Sequence, residues 1–355
     1  MRWRSVDVFR GLTVAAMVVV NNPGDWDTVY APLLHAEWNG WTPTDLIFPF
    51  FLFIVGVSIT LGRTAGGSWL SVWRRGAVIW GLGLFMAGYP FFRLATWRIP
   101  GVLARIAWSF VGTVLLVRLA ERSGRARRTP SVAAIVALLL GVYWVLIKGD
   151  MSPAGNLGAW LDRALMQGHL WKPDWDPEGV LSTVPAIGTT LLGVLAGWTL
   201  QESQSPRTLV RTLLLWGLAG VIAGLVWSAW FPINKSLWTS SYVLFTGGLA
   251  SVALAVCYWL FDVAPTRMMR RLSEPAVALG RNAILLFVVS GLFAKTLIYL
   301  KWPDPAMSLA RWIYLSVFVP VASPYNASLL YALANLALLY GLLAVLHRRK
   351  LYLSV

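Results

Sequence analysis

Apolar runs long enough to cross a bilayer recur along the whole of this chain and limit what it can fold into. One of them, 44–62, reads TDLIFPFFLFIVGVSITLG. A helix of about 20 mostly apolar residues spans a hydrocarbon layer of roughly 30 Å. Of the 355 residues 57% are hydrophobic and only 13% are charged, too few charged groups to cover so much apolar surface in water. We therefore predict an all-α polytopic membrane protein.

The apolar runs predict about ten transmembrane helices in a single transmembrane domain that covers residues 1–355. The first run follows charged residues as in a signal peptide, but no small-x-small cleavage site follows it. We therefore expect it to be retained as a span. The predicted spans are 7–22, 44–62, 76–93, 100–118, 131–148, 180–200, 209–231, 237–261, 276–298 and 326–346.

The basic residues predict the orientation of these spans. The net charge of +15 does not indicate a nucleic-acid partner, because the charges form short clusters between the apolar runs. With a cytoplasmic N-terminus, the inner segments hold Arg2, Arg4, Arg10, Arg63, Arg74, Arg75, Arg118, Arg122, Arg125, Arg127, Arg128, Arg207, Arg211, Arg267, Arg270 and Arg271. Ten spans also place the basic tail 347–350 in the cytoplasm, provided that 307–320 is peripheral or re-entrant.

Two outer loops, about 23–43 and 149–179, are longer than their connections require. The first has no Lys or Arg, and the second contains His169 and KPDWDPEG. Loops of this length are often functional.

His35 is the strongest candidate for chemistry, because it lies in a polar loop just before a span. Imidazole changes charge near neutral pH and suits proton transfer, although a loop histidine bonded only to backbone is the structural alternative. The negative charge of Asp45, in TPTD, is favourable near the N-terminus of a helix. Its carboxylate can also orient a neighbouring imidazole. Asn21 and Asn22 end the first span on the same side, where an amide can stabilise an oxyanion or simply terminate a helix.

Charged residues inside spans are costly and tend to be paired or functional. Arg105 lies early in the fourth span, where it can bind phosphate if a nucleotide-bearing cofactor enters the bundle. The chain lacks a Walker loop, a paired CxxC and an HExxH motif, so we predict no metal site. The single cysteine, Cys257, excludes an intramolecular disulfide.

Several blocks resemble, in order, the transmembrane N-acetyltransferases typified by heparan-α-glucosaminide N-acetyltransferase. They are RSVDVFRGLTVAAMVVVN (4–21), HAEWNGWTPTDLIFPFFLFIVG (35–56), RIPGVLARIA (98–107), DPEGVLSTVPAIGTTLLGVLAG (176–197), INKSLWTSSY (233–242) and GRNAILLF (280–287). The resemblance implies an acyl-CoA-dependent acetyltransferase that moves acetyl from cytosolic acetyl-CoA to a glucosamine-type amine on the other side of the membrane.

The resemblance maps the family's active-site histidine onto His35, and an assisting asparagine onto Asn21 or its neighbour Asn22. From it we expect His35 and Asn21 to be catalytic, with His35 as general base or acetyl carrier. We add Asp45 to the catalytic residues, as a carboxylate that can orient His35 or bind the ammonium. We expect substrate contacts from Glu37, Trp38, Asn39, Glu178, Asn234 and Trp238. We expect Arg10, Arg105 and Asn282 to bind acetyl-CoA.

Two other functions fit the same sequence. Polar residues among ten spans also suit a transporter of amino sugars, and a histidine near the membrane also suits an O-acyltransferase acting on a sugar hydroxyl. The compact chain is similar to bacterial family members, which implies an inner membrane and a simple amino sugar or cell-wall-derived saccharide as acceptor. The resemblance also suggests a homodimer.

Overall fold

The computed structural model describes residues 3–62, 67–203, 205–349 and 351–352, and in this part of the chain all regular structure is helical. Arg2, Arg63 and Lys350 of the predicted basic clusters lie outside the described residues. The α-helices are α1 (Arg4–Asn21), α2 (Ile47–Leu61), α3 (Trp69–Gly88), α4 (Val102–Glu121), α5 (Arg125–Ile147), α6 (Leu157–Met166), α7 (Thr183–Glu202), α8 (Pro206–Trp227), α9 (Ser240–Tyr258), α10 (Arg267–Arg281), α11 (Ala283–Tyr299), α12 (Leu309–Ile313) and α13 (Pro324–Arg348).

The helices confirm a polytopic, all-helical class. Within the described residues seven helices are long and apolar enough to cross a membrane, and the bent pair α10 and α11 raises the number to eight. Helices α1 and α3 are also long, but each carries charged residues in its first two turns. The count of ten spans and the cytoplasmic termini therefore stay predictions.

Three segments differ in detail from the predicted helices. The span 276–298 is broken at Asn282, where α10 and α11 meet at 76°. The loop 149–179 contains a helix, α6, whose N-cap Asn156 accepts a hydrogen bond from the N–H of Ala159 at 2.9 Å. The segment 307–320 forms the short apolar helix Leu309–Phe318, and its peripheral or re-entrant position stays a prediction.

Glycines allow the central helices to pack backbone against backbone. A Cβ atom on Gly11 of α1 would lie 1.8 Å from the carbonyl oxygen of Ala276 in α10. A Cβ atom on Gly56 of α2 would lie 1.9 Å from the carbonyl oxygen of Thr190 in α7. Small residues at such crossings are typical of helix packing in membranes, where van der Waals contact replaces the hydrophobic effect.

The long loops gather at one end of the bundle, which we call the loop end. Helix α1 ends there at Asn21, while α2 and α4 begin there, and all three contribute to one cavity. Helix α9 also begins there, since the hydroxyl of Tyr242 donates to the carbonyl oxygen of Asp45 at 2.5 Å. The loop 23–43, the connection between α3 and α4, and the loop 149–179 meet above these helix ends.

Candidate active site

A cavity of about 440 Å³ opens at the loop end and penetrates the bundle beside α1. From Asn21 near its mouth to Thr13, it follows α1 for about 12 Å, at the 1.5 Å rise per residue of an α-helix. This volume is typical of small-molecule sites, whose volumes are about 300–1,000 Å³. The deeper walls are mainly apolar, with Val14, Met17, Val20, Ile47, Phe48, Phe51, Val102, Leu103, Ile106, Ile284 and Phe287.

His35 and Asp45 form a hydrogen-bonded pair at this cavity. The Nδ1 atom of His35 lies 2.6 Å from Oδ1 of Asp45. The His35 side chain is 49% exposed, whereas the Asp45 side chain is only 1% exposed. A buried carboxylate that accepts from Nδ1 leaves the Nε2 lone pair of a neutral imidazole for a substrate proton. The exposed partner can meet a substrate, and the buried partner orients it.

Local hydrogen bonds hold Asp45 in place. Its Oδ2 atom accepts the backbone N–H of Ala36 and that of Thr42, both at 3.0 Å. Thr42 precedes a short 3₁₀ helix, Pro43–Leu46, that leads into α2. The hydroxyl of Thr42 donates to the carbonyl oxygen of Leu34 at 2.6 Å. The chain on both sides of His35 is thus tied to the helix start that carries Asp45.

Lys235 completes the polar group around His35, although the sequence analysis did not select it. Its Nζ atom lies 3.0 Å from Nδ1 and 3.1 Å from Nε2 of His35, and 3.7 Å from Oδ1 of Asp45. Burial lowers the pKa of Lys235, while the negative charges of Asp45 and Glu178 act in the opposite direction. Lys235 lies in the block INKSLW, so a lysine in the predicted turn between the spans 209–231 and 237–261 was the available signal.

Asn21, and not Asn22, is the asparagine at the cavity. Asn21 lines the cavity wall together with His35. Asn22 instead turns back onto its own helix, because its Nδ2 atom donates to the carbonyl oxygen of Val18 at 2.7 Å. The structure thus separates the two candidates that the sequence left open.

An ion-pair cluster joins two connections at the mouth of the cavity. Arg98 donates from Nε to Oδ2 of Asp176 at 2.8 Å, and from Nη2 to Oδ1 at 2.6 Å. The same Nη2 atom donates to Glu178 at 2.5 Å. The Asp176 side chain is fully buried and that of Glu178 is 10% exposed. Glu178 therefore lines the cavity as a carboxylate already paired with an arginine.

Three tryptophans surround this mouth. The ring centroid of Trp175 lies 5.3 Å from that of Trp38 and 5.5 Å from that of Trp171, with both pairs edge to face. The indole N–H of Trp38 donates to the carbonyl oxygen of Met151 at 3.0 Å, which ties the loops 23–43 and 149–179 together. Aromatic faces held in this way suit contact with the apolar face of a sugar ring. Glu37, which is exposed, lies on the same wall.

Asn39, Asn234 and Trp238 do not reach the cavity wall, in contrast to the substrate contacts expected of them. The Nδ2 atom of Asn234 donates to Oδ1 of Asn39 at 3.1 Å, so this pair joins two loops. Trp238 is fully buried, and its indole N–H donates to Thr189 at 3.1 Å. Asn234 and Trp238 support the turn that carries Lys235, and their buried polar groups are hydrogen-bonded to other parts of the chain.

The three residues expected to bind acetyl-CoA are also absent from the cavity wall. Arg105 is fully buried near the loop end, donates to Ser182 and stacks over the ring of Trp238 at 4.8 Å. Arg10 lies further along α1, where its Nη2 atom donates to the hydroxyl of Ser58 at 2.6 Å. Asn282 is buried at the break between α10 and α11. Arg10 and Arg105 thus lie at different depths of the bundle, so they cannot hold the same phosphate groups.

His169 links the loop 149–179 to the connection between α3 and α4 by hydrogen bonds. Its Nδ1 atom lies 2.8 Å from the carbonyl oxygen of Trp97, and its own carbonyl oxygen accepts the N–H of Ile99 at 3.0 Å. Among the described residues no three His, Cys, Asp or Glu side chains are grouped so as to hold a metal ion. The expected absence of a metal stays a prediction.

Comparison with known proteins identifies the family of this chain. The family described as heparan-alpha-glucosaminide N-acetyltransferase, catalytic, matches residues 2–214. The chain belongs to this family. It is 30% identical, over 81% of its length, to the human and the mouse protein named heparan-alpha-glucosaminide N-acetyltransferase. The aligned part covers 52% of the human protein and 53% of the mouse protein, so the chain spans about half the length of these relatives.

The matched family region includes most of the site but not all of it. Asn21, His35, Asp45 and Glu178 fall within residues 2–214. Lys235 lies beyond that region and reaches His35 only through the fold. The apolar helices and the family membership together identify this chain as an integral membrane protein.

Proposed function

We propose that this chain transfers an acetyl group from acetyl-CoA to the amine of a glucosamine-type sugar. The observation that carries the proposal is the His35–Asp45 pair at the mouth of a cavity that runs deep into the bundle. The family membership supports the reaction class, since the human and mouse relatives are named as N-acetyltransferases of a glucosaminide.

His35 acts on the amine of the acceptor. A glucosamine amine must be in its free-base form to attack a thioester, and it gives up a further proton when the amide forms. Nε2 of His35 accepts this proton, while Asp45 holds the other ring nitrogen and stabilises the imidazolium that results. In the alternative two-step route, Nε2 attacks the thioester and His35 carries the acetyl group to the amine.

Asn21 supplies a hydrogen-bond donor for the tetrahedral intermediate. When the amine or His35 attacks the thioester, the carbonyl oxygen gains negative charge. An amide N–H aimed at that oxygen lowers the barrier, and removal of one such donor costs about 10²–10³ in kcat in other acyl-transfer enzymes. Asn21 is suited to this role because it lines the same wall as His35.

The two substrates approach from opposite directions. The sugar enters at the loop end, where Trp38 and Glu37 offer an aromatic face and a carboxylate for the ammonium form of the amine. Acetyl-CoA enters from the cytoplasmic side with its thin pantetheine arm along the apolar walls beside α1. Arg10 and Asn282 lie on that side, and Arg10 remains a candidate for the phosphates. In a bacterial inner membrane this arrangement acetylates a periplasmic amino sugar.

The test uses purified protein in detergent with acetyl-labelled acetyl-CoA and glucosamine. We expect labelled N-acetylglucosamine that survives hydroxylamine, and none from His35→Ala. A hydroxylamine-labile product indicates an ester and favours the O-acyltransferase. Absence of any acetylated sugar, with labelled glucosamine crossing liposomes that contain the protein, refutes the enzyme and favours the transporter.

A further inference from the structure

Lys235 lies in the cavity wall beside His35, unlike a lysine at the protein surface. Its side chain is 22% exposed and lines the cavity, with Nζ within 3.1 Å of both ring nitrogens of His35. Nδ1 is already paired with Asp45, so Nε2 is the ring nitrogen left to accept a hydrogen bond from Lys235. The reacting nitrogen of His35 is thus in direct contact with a second titratable group.

Two positive charges at this distance repel each other strongly in a partly buried site. An imidazolium on His35 therefore forms more easily if Lys235 loses its proton during the same reaction. The charged groups that face Lys235 are Asp45 and Glu178, which favour its cationic form, and Arg105, which opposes it. Burial also lowers the pKa of Lys235, which makes its cation a stronger acid than that of an exposed lysine.

We propose that Lys235 is the general acid of the acetyl transfer, which protonates the thiolate of CoA and is then reprotonated by His35. The inference rests on the proposed function. It is consistent with the flexible four-carbon stem of lysine, which can carry Nζ from the imidazole to the thioester sulfur and so free Nε2.

The proton balance of the cycle closes. The free-base amine forms its bond to the thioester carbon, and its proton passes to Nε2 of His35. The carbon–sulfur bond breaks, the electron pair leaves with sulfur, and Lys235 gives its proton to that sulfur. Nε2 then returns its proton to the neutral Lys235, across a contact of 3.1 Å. Products are the amide and the CoA thiol, and both side chains regain their starting states.

The test compares acyl donors whose thiols differ in acidity. Alkyl thiolates, as in acetyl-CoA or acetyl-pantetheine, need a proton more than the aryl thiolate released from phenyl thioacetate. General acid catalysis contributes about 10²–10⁴-fold, so we expect Lys235→Met to lose about 10²-fold with the alkyl donors and about threefold or less with the aryl donor. The matched control, Lys301→Met, removes an exposed lysine away from the cavity and should keep wild-type rates.

A chemical rescue provides the second readout. Trimethylammonium can donate a proton, but its nitrogen cannot form an amide, so we expect it to restore turnover of acetyl-CoA in Lys235→Ala and not in His35→Ala. An equal loss with alkyl and aryl donors, without rescue, shows that Lys235 only shapes the site and overturns the inference. A wild-type protein that makes no acetylated sugar overturns the proposed function as well, which distinguishes the two failures.

Discussion

Asp45 accepts a hydrogen bond from Nδ1 of His35 at 2.6 Å, and its other carboxylate oxygen accepts two backbone N–H groups from the surrounding loop. One buried carboxylate therefore both caps the 3₁₀ helix Pro43–Leu46, which leads into α2, and orients an exposed imidazole. These two sets of contacts explain how a short polar loop holds an oriented histidine at the end of an apolar bundle.

Asp45→Asn should reduce acetyl transfer while the protein stays folded. The amide oxygen of asparagine can still accept from the backbone, but its NH₂ group then faces Nδ1 and donates to it. The remaining proton moves to Nε2, which can no longer accept one from the amine, and we expect a loss of about 10²-fold or more in kcat. Asp27→Asn alters an exposed carboxylate away from the cavity and serves as control. A turnover equal to wild type in Asp45→Asn contradicts the orienting role.

Asp176→Asn should loosen the mouth of the cavity. The variant removes the charge that pairs with both donors of Arg98 and leaves that guanidinium with Glu178 alone. Removal of one partner of a buried ion pair costs about 3–5 kcal/mol when the other charge is left unpaired. Because Glu178 still pairs with Arg98, we expect a smaller cost, seen as a lower melting temperature in detergent followed by tryptophan fluorescence. Asp174→Asn, at an exposed position in the same loop, should melt like the wild type. Equal melting temperatures of Asp176→Asn and Asp174→Asn would show that the Arg98–Asp176–Glu178 cluster does not stabilise the fold.

Gly11→Ala should destabilise the crossing of α1 and α10. The added methyl group would lie 1.8 Å from a backbone carbonyl oxygen, so the helices must move apart. Overpacking of this kind costs about 1–3 kcal/mol. Gly141→Ala in α5 adds the same methyl group where no atom lies within 4 Å, and we expect no loss of thermal stability there. A melting temperature of Gly11→Ala equal to that of Gly141→Ala contradicts the close contact.

Asp162 should make stability decrease as the pH rises from about 4 to 6. Burial raises the pKa of this carboxyl from 3.8 to about 6, although the N–H of Val180 partly opposes the shift. Between these values the folded state holds more protons than the unfolded state, so the free energy of unfolding falls with increasing pH. Asp162→Asn, which keeps an acceptor for Val180, should flatten this decrease in melting temperature. The same slope in both proteins contradicts a raised pKa.

The sequence predicted the all-helical, polytopic class, and it drew attention to the short polar segment with His35 and Asp45, because both features depend on local patterns. The apolar runs are about as long as a helix must be to cross a membrane. His35 and Asp45 are ten residues apart, so a short turn can bring them together. The break at Asn282 was missed because its neighbours 283–289 form an apolar run that hides it.

Contacts between distant segments could not be predicted from the sequence. Lys235 reaches His35 across 200 residues, and neither residue carries a local signal of the other. The same limit applies to Arg98 and Asp176, which lie 78 residues apart. Asn234 and Trp238 were selected beside Lys235, but their burial, which removes them from the cavity, depends on the packing of α9 against its neighbours.

Transfer between compartments tests the central claim most directly. Proteoliposomes with the protein in one orientation would hold glucosamine inside and receive labelled acetyl-CoA outside, or the reverse. The account predicts labelled N-acetylglucosamine in the glucosamine compartment when acetyl-CoA contacts only the cytoplasmic face, and none from His35→Ala. Product that forms only when both substrates share one compartment would contradict it.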